Sequence, residues 1–158
     1  MVTTEQEYFD YFYEKSGYRY HPDVSLMVVD RRPSGIRACV VLYNYIKEER
    51  RIDWGIHTEG NYWGSYELAA CLIDLVFVKL NVHRLQGFSS APKSDRLVEH
   101  LGFKLDANLR DWSGPGDNTK LYSILSTELE TTKFWEMSKL YYTKLNNKRG
   151  APLNGVIH

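Results

Sequence analysis

The spacing of hydrophobic positions changes several times along the chain. At 23–30, DVSLMVVD holds an apolar middle between two aspartates, and RRPSG then supplies Pro33 and Gly35 for a turn. A run at 36–46 is rich in Val, Ile and Tyr; the charged tip KEERR follows, then a third apolar run at 52–57. Three such runs with short connections predict an antiparallel meander. Alternate side chains of a strand share a face, so Ile52, Trp54 and Ile56 should point one way and Asp53, Gly55 and His57 the other.

After residue 61 the period becomes helical. Ala69, Leu72, Ile73, Val76 and Leu80 keep the i, i+3, i+4, i+7 spacing over 66–80, and Leu68, Cys71 and Leu75 widen the apolar face. Asn81 is the expected stop. The run 84–89 reads as a strand, Pro92 opens a helix near 93–101, and Gly102 closes it. Two more strands, 103–112 and 120–126, flank the loop SGPGDN. At the start, 4–15 reads as a helix with Thr4 and Glu7 at capping-box spacing and Phe9, Phe12 and Tyr13 on its apolar face. At the end, 128–147 reads as a helix with Phe134, Met137, Tyr141 and Leu145 near one face. The order is three strands, helix, strand, helix, two strands. It implies an α/β or α+β domain with a mixed sheet and one crossover unit. The division expected is an N-terminal helical segment (1–22), a core (23–127), and a C-terminal helix with a basic tail (128–158).

Composition narrows the class. The chain has 158 residues, enough for one domain, and 43% are hydrophobic, enough for a core. Formal net charge is zero, so no global field draws it to nucleic acid or to a membrane, and neither is expected as a partner. Cys39 and Cys71 lie in separate apolar runs and read as buried thiols. No basic-then-apolar leader opens the chain, and no apolar run approaches the ~20 residues of a membrane span, so a soluble, cytoplasmic protein is expected. From Thr131 onward, five Lys or Arg stand against Glu136 alone. That basic appendage reads first as a solvated face and second as a docking element. No metal-ligand spacing and no nucleophile-elbow motif occurs.

Three stretches carry a family resemblance: DLVFVKLNVHRL (74–85), SDRLVEHLGFKLDANLRDW (94–112) and TKLYSILSTE (119–128). With the strand order, they resemble the GNAT superfamily of N-acetyltransferases from about 23 to 128. The branch they are most similar to acetylates ribosomal-protein N-termini and spermidine-like amines. The resemblance implies a GNAT-like mixed sheet with a meander, one βαβ crossover and terminal helices. It implies acetyl-CoA in a split between strands 52–57 and 84–89, its diphosphate on the backbone amides that open helix 66–80. A helix start suits that role, with unpaired N–H donors and partial positive charge. The cofactor residues implied are Ile56, His57, Trp63, Gly64, Ser65 and Tyr66. The catalytic residues implied are Asp53 and His57 as bases, with Glu59 as a third candidate, and Ser94 as proton donor to the leaving sulfur.

The chain departs from that pattern in four places. Its loop offers only Trp63-Gly64-Ser65-Tyr66-Glu67, where the family has two small residues. No Lys or Arg lies between Arg51 and Lys79, and Glu67 puts a negative charge at the helix start. Ala91 stands where the family has Asn. The usual first strand is absent or reduced to 17–20. These departures support an alternative expectation, a catalytically inactive GNAT-fold protein. It would assemble through its terminal helices with a protein partner or itself, as in a phage or virion.

Overall fold

The computed structural model describes residues 1–61 and 64–149. Trp63, the first residue of the short loop before the helix, and the end of the basic tail lie outside them. One seven-stranded sheet runs through the molecule in the order β1-β2-β3-β4-β5-β7-β6. Its strands are β1 (Val2–Thr3), β2 (Leu26–Arg32), β3 (Gly35–Ile46), β4 (Arg51–Thr58), β5 (Arg84–Ser89), β6 (Lys104–Leu109) and β7 (Thr119–Leu125). The helices are α1 (Gln6–Ser16), α2 (Tyr66–Ile73), α3 (Pro92–Leu101) and α4 (Lys133–Lys148). β2, β3 and β4 form the expected antiparallel meander, and β4 with β5 is the one parallel pair. The fold is thus α+β with a mixed sheet.

Strand alternation splits the core in two. Val28, Val40, Leu42, Ile52 and Trp54 face α2, α3 and α4, while Met27, Val29, Cys39 and Val41 face Tyr8, Phe9 and Phe12 of α1. Burial pushes the Cys39 thiol up to about 12, which keeps it protonated and inert.

Several boundaries differ from the sequence expectation. The first strand is neither absent nor at 17–20. It is Val2–Thr3, paired with Val28 and Met27, and the Met1 ammonium donates to the Val29 carbonyl at 3.0 Å. Two residues have no period, so only the partner strand defines them. The Thr4–Glu7 capping box does not form: Glu5 is the N-cap residue, and Thr3 Oγ1 accepts the Glu5 N–H instead. Tyr13 is exposed, with the Arg19 guanidinium over its ring.

The helix expected over 66–80 keeps its length but widens after Ile73 into a π-helical segment, Asp74–Lys79, before Asn81 stops it at φ 52°. The last helix starts later than expected. A 3-10 turn, Leu129–Thr131, precedes it, and Thr132 caps it by accepting the Trp135 N–H. Leu129, Phe134 and Met137 are buried in the same cluster as Trp54, so α4 packs into the main core.

Candidate active site

The parallel pairing of β4 and β5 is short. It joins Arg51 to Arg84, Ile52 to Leu85 and Asp53 to Gln86, and then stops. From Trp54 on, among the described residues, β4 pairs with no strand but β3, and β5 with none but β7. Among the described residues one edge of β4 is therefore left without a strand, and its backbone can serve an extended, amide-bearing ligand.

At the apex of the split the two backbones stay close. A Cβ on Gly87 would lie 2.9 Å from the Trp54 carbonyl and 2.6 Å from its indole. That indole stacks on Phe103 at 4.8 Å and 8°, and touches Phe134. On this face the split is filled. The cavity left among Trp54, Ile56, Leu68, Leu101, Phe134 and Met137 is about 10 Å³, room for one water at most. On the opposite face a cavity of about 620 Å³ opens, with Tyr20, Tyr43, His57 and Ser94 in its wall.

The structure thus brings His57 and Ser94 to one cavity. His57 stands near the end of β4, its Nε2 3.2 Å from Glu59 Oε1. Glu59 also accepts from the Tyr11 hydroxyl and lies 3.7 Å from Lys15 Nζ. The Tyr11 hydrogen bond first, then that from His57, holds the Glu59 carboxyl down to about 2. A carboxylate so occupied stays ionised and is a poor base. Its Oε1 is taken up by Tyr11, His57 and Lys15. A proton on Nε2 directed at Glu59 leaves Nδ1 as the basic nitrogen.

Asp53 sits differently. It is only 5% exposed, accepts from Asn44 Nδ2 at 3.1 Å, and its other oxygen has no protein partner among the described residues. It does not line the cavity. Two residues that do, Tyr43 and Tyr20, feel its charge: Tyr43 opposes it across the strand pair, and the Tyr20 hydroxyl hangs over Gly55. Burial raises both tyrosines, with the Asp53 charge as a smaller contribution. Both hydroxyls remain protonated donors.

Ser94 sits in the first turn of α3. Ala91 caps that helix without a side-chain bond, as expected of Ala where the family has Asn. The turn is held by Asp95, which accepts from Ser89 Oγ and pairs with Lys120, each at 2.6 Å. Nothing in the local sequence signals that triangle, because its members come from three elements.

At the start of α2, the Ser65 side chain accepts the Leu68 N–H at 3.0 Å. The Tyr66 and Glu67 amides meet no protein acceptor among the described residues. Gly64 has φ 102°, a conformation that L side chains rarely adopt, and a Cβ there would touch only Leu68 at 3.8 Å. The cations missing from the local sequence arrive from elsewhere. Arg32 of β2 lies 3.8 Å from Glu67, and Lys144 of α4 sits over the Tyr66 ring at 4.4 Å. Lys93 of α3 reaches across the split to the Thr58 carbonyl at 3.3 Å. Two amides and a strand edge without partners among the described residues, together with a helix start and nearby cations, fit a coenzyme A thioester.

Comparison with known proteins bears on the fold. No family profile and no curated protein sequence matches the chain. Solved structures do match. A single-residue mutant of the spermidine N-acetyltransferase SpeG from Vibrio cholerae superposes with a TM-score of 0.59 at 19% identity, covering 79% of this chain and 78% of that one. A chimeric form of SpeG reaches 0.65 at 17% identity, covering 82% of this chain and 97% of that one. RimJ of Mycobacterium smegmatis, in complex with CoA-disulfide, reaches 0.58 at 16% identity, covering 75% of this chain and 61% of that one. At such identities the likeness speaks to architecture alone: this chain has the GNAT N-acetyltransferase fold.

Proposed function

We propose that the protein is an N-acetyltransferase that moves an acetyl group from acetyl-CoA to a primary amine. The observation that carries this reading is the open edge of β4 beyond Asp53, with His57 and Ser94 facing one cavity beside it. Gly64, Ser65 and Tyr66 would hold the diphosphate on the helix start, and the β4 edge at Ile56 and His57 would receive the amide-bearing arm. When bound, acetyl-CoA supplies an acetyl group on a thiolate leaving group. His57, oriented by Glu59, would take a proton from the acceptor's ammonium group and so free the neutral amine that attacks. Ser94 gives a proton to the sulfur as the C–S bond breaks and the C–N bond forms, and recovers one from the acetylated nitrogen. Asp53 stands behind the cavity wall, opposite Tyr43 across the β3–β4 pair.

Calorimetric titration with acetyl-CoA at modest salt, and then with desulfo-CoA, tests the reading. Micromolar affinity, about −8 kcal/mol, is expected. No heat and no thermal shift at millimolar ligand would overturn it. One observation favours a second reading, a non-catalytic assembly role: the split is packed shut on its α2–α4 face, leaving about 10 Å³. Absence of coenzyme binding together with a concentration-dependent mass in solution would support that role.

A further inference from the structure

We infer that the acceptor is a primary amine on a short alkyl chain that bears an aromatic ring, with no second positive charge. The inference rests on the N-acetyltransferase reading and concerns the cavity that holds His57 and Ser94.

Charge is the first argument. Among the described residues no Asp or Glu lines this cavity, and its basic wall residues are Lys15 and His57. The nearby carboxylates are committed or sealed. Glu59 serves Tyr11, His57 and Lys15; Asp95 serves Ser89 and Lys120; the free oxygen of Asp53 is shut off from solvent. A polyamine would have to leave water with its extra ammonium groups unpaired and one of them facing Lys15. Burying an unpaired charge is strongly unfavourable. A single amine whose proton passes to His57 avoids that cost.

Aromatic surface is the second argument. Phe88 on β5 and Trp112 beyond β6 stack at 5.4 Å and 12° in the cavity wall. They are 39% and 58% exposed, so the pair presents an open face. Tyr18, also 58% exposed, is a further ring in the same wall, beside Tyr20 and Tyr43. A flat aromatic body gains from such a platform both by burial of apolar area and by offset stacking.

Rigidity is the third. Trp112 follows Asp111, which holds φ 51° and ties the β6–β7 loop twice. Its N–H donates to Asn118 Oδ1 at 3.2 Å, and its carboxylate accepts the Gly116 N–H at 2.8 Å. The platform is set before ligand arrives, so little ordering is lost on binding. A volume of about 620 Å³ matches a small-molecule site.

The test uses the full chain and three probes: 2-phenylethylamine, n-hexylamine and spermidine. Release of the coenzyme A thiol is followed at saturating acetyl-CoA. The expected order is 2-phenylethylamine first, by about tenfold in kcat/KM over each of the others. Trp112→Ala should raise KM for 2-phenylethylamine about tenfold, leave kcat nearly unchanged, and leave hexylamine unaffected. Trp112→Phe should restore most of the loss, which excludes a folding defect. Preference for spermidine, or an equal effect of Trp112→Ala on hexylamine, would overturn the inference while acetyl transfer stands. If acetyl-CoA gives no heat, the transferase reading falls on its own. Saturation-transfer NMR with the same probes then decides the site: Trp112-dependent capture of 2-phenylethylamine supports it, and no capture overturns it.

Discussion

The two faces of the β4–β5 split are built from alternate residues of the same strand, yet they do opposite things. Trp54 and Ile56 point toward α2 and α4 and are packed to a remnant of about 10 Å³. Gly55 and His57 border an open cavity of about 620 Å³ on the other face. The difference lies in what covers each face. α4 brings Phe134 and Met137 down onto Trp54, and α2 brings Leu68. On the other side α1 ends at Ser16 and packs on β2 and β4, which leaves the β5 side uncovered. One face of the strand holds the fold together while the other is left for chemistry.

The comparison can be broken most sharply at Trp54. Trp54→Ala removes the ring that joins Phe103 to Phe134 and should cost about 3–5 kcal/mol in denaturant unfolding. A loss well under 1 kcal/mol would mean the closed face is not the structural one. Gly87→Ala comes next. Its Cβ would meet the Trp54 backbone as well as the ring, so about 1–3 kcal/mol is expected, with a lower urea midpoint as the readout.

The start of α2, where Gly64 and Ser65 border the small remnant on the closed face, is probed by ligand. Gly64→Val forces a side chain into φ 102° and should weaken acetyl-CoA about tenfold or more by calorimetry, with the fold retained. Unchanged affinity would move the diphosphate away from the start of α2. The smallest effect is expected at Glu59. Its folded value, about 2, lies below its ordinary 4.5, so its contribution is full above pH 4.5 and fades as pH falls toward 2. The stability gap between the wild type and Glu59→Gln should narrow over that window. Because Glu59 is half-exposed, solvent screening keeps the gap small, and a gap that widens toward acid would contradict the assignment.

Much of the scaffold was legible because its signals are local. The alternation at 52–57 placed Trp54 and His57 on opposite faces, and the apolar spacing after Tyr66 marked a buried helix. Pro92 and Gly102 bracketed α3 closely. Three features were not legible. Val2–Thr3 is too short to show a period and exists only through pairing with β2. The expected capping box lost to a local bond from Thr3. The shortage of positive charge near α2 was judged along the chain, whereas Arg32, Lys93 and Lys144 approach it or the split from β2, α3 and α4.

The candidate site divides in the same way. His57 and Ser94 could be named from the resemblance, but not that they share a cavity, nor that Asp53 stands outside its wall. The Phe88–Trp112 platform gave no signal, because its rings lie 24 positions apart in the chain (112 − 88) and meet only when β5 and β6 flank β7.

The sequence by itself determined the order of the strands from β2 to β7 and of the helices between and around them, the two faces of β4, and the Gly and Pro positions where the chain turns. Backbone period and steric preference act between residues a few positions apart, so one chain is enough to read them. The tertiary structure alone decided which face of the split closes, which cations stand beside the α2 start, and which carboxylates are already occupied. Those depend on distances between groups far apart in the chain, which only the packing of α1, α2 and α4 on the sheet sets.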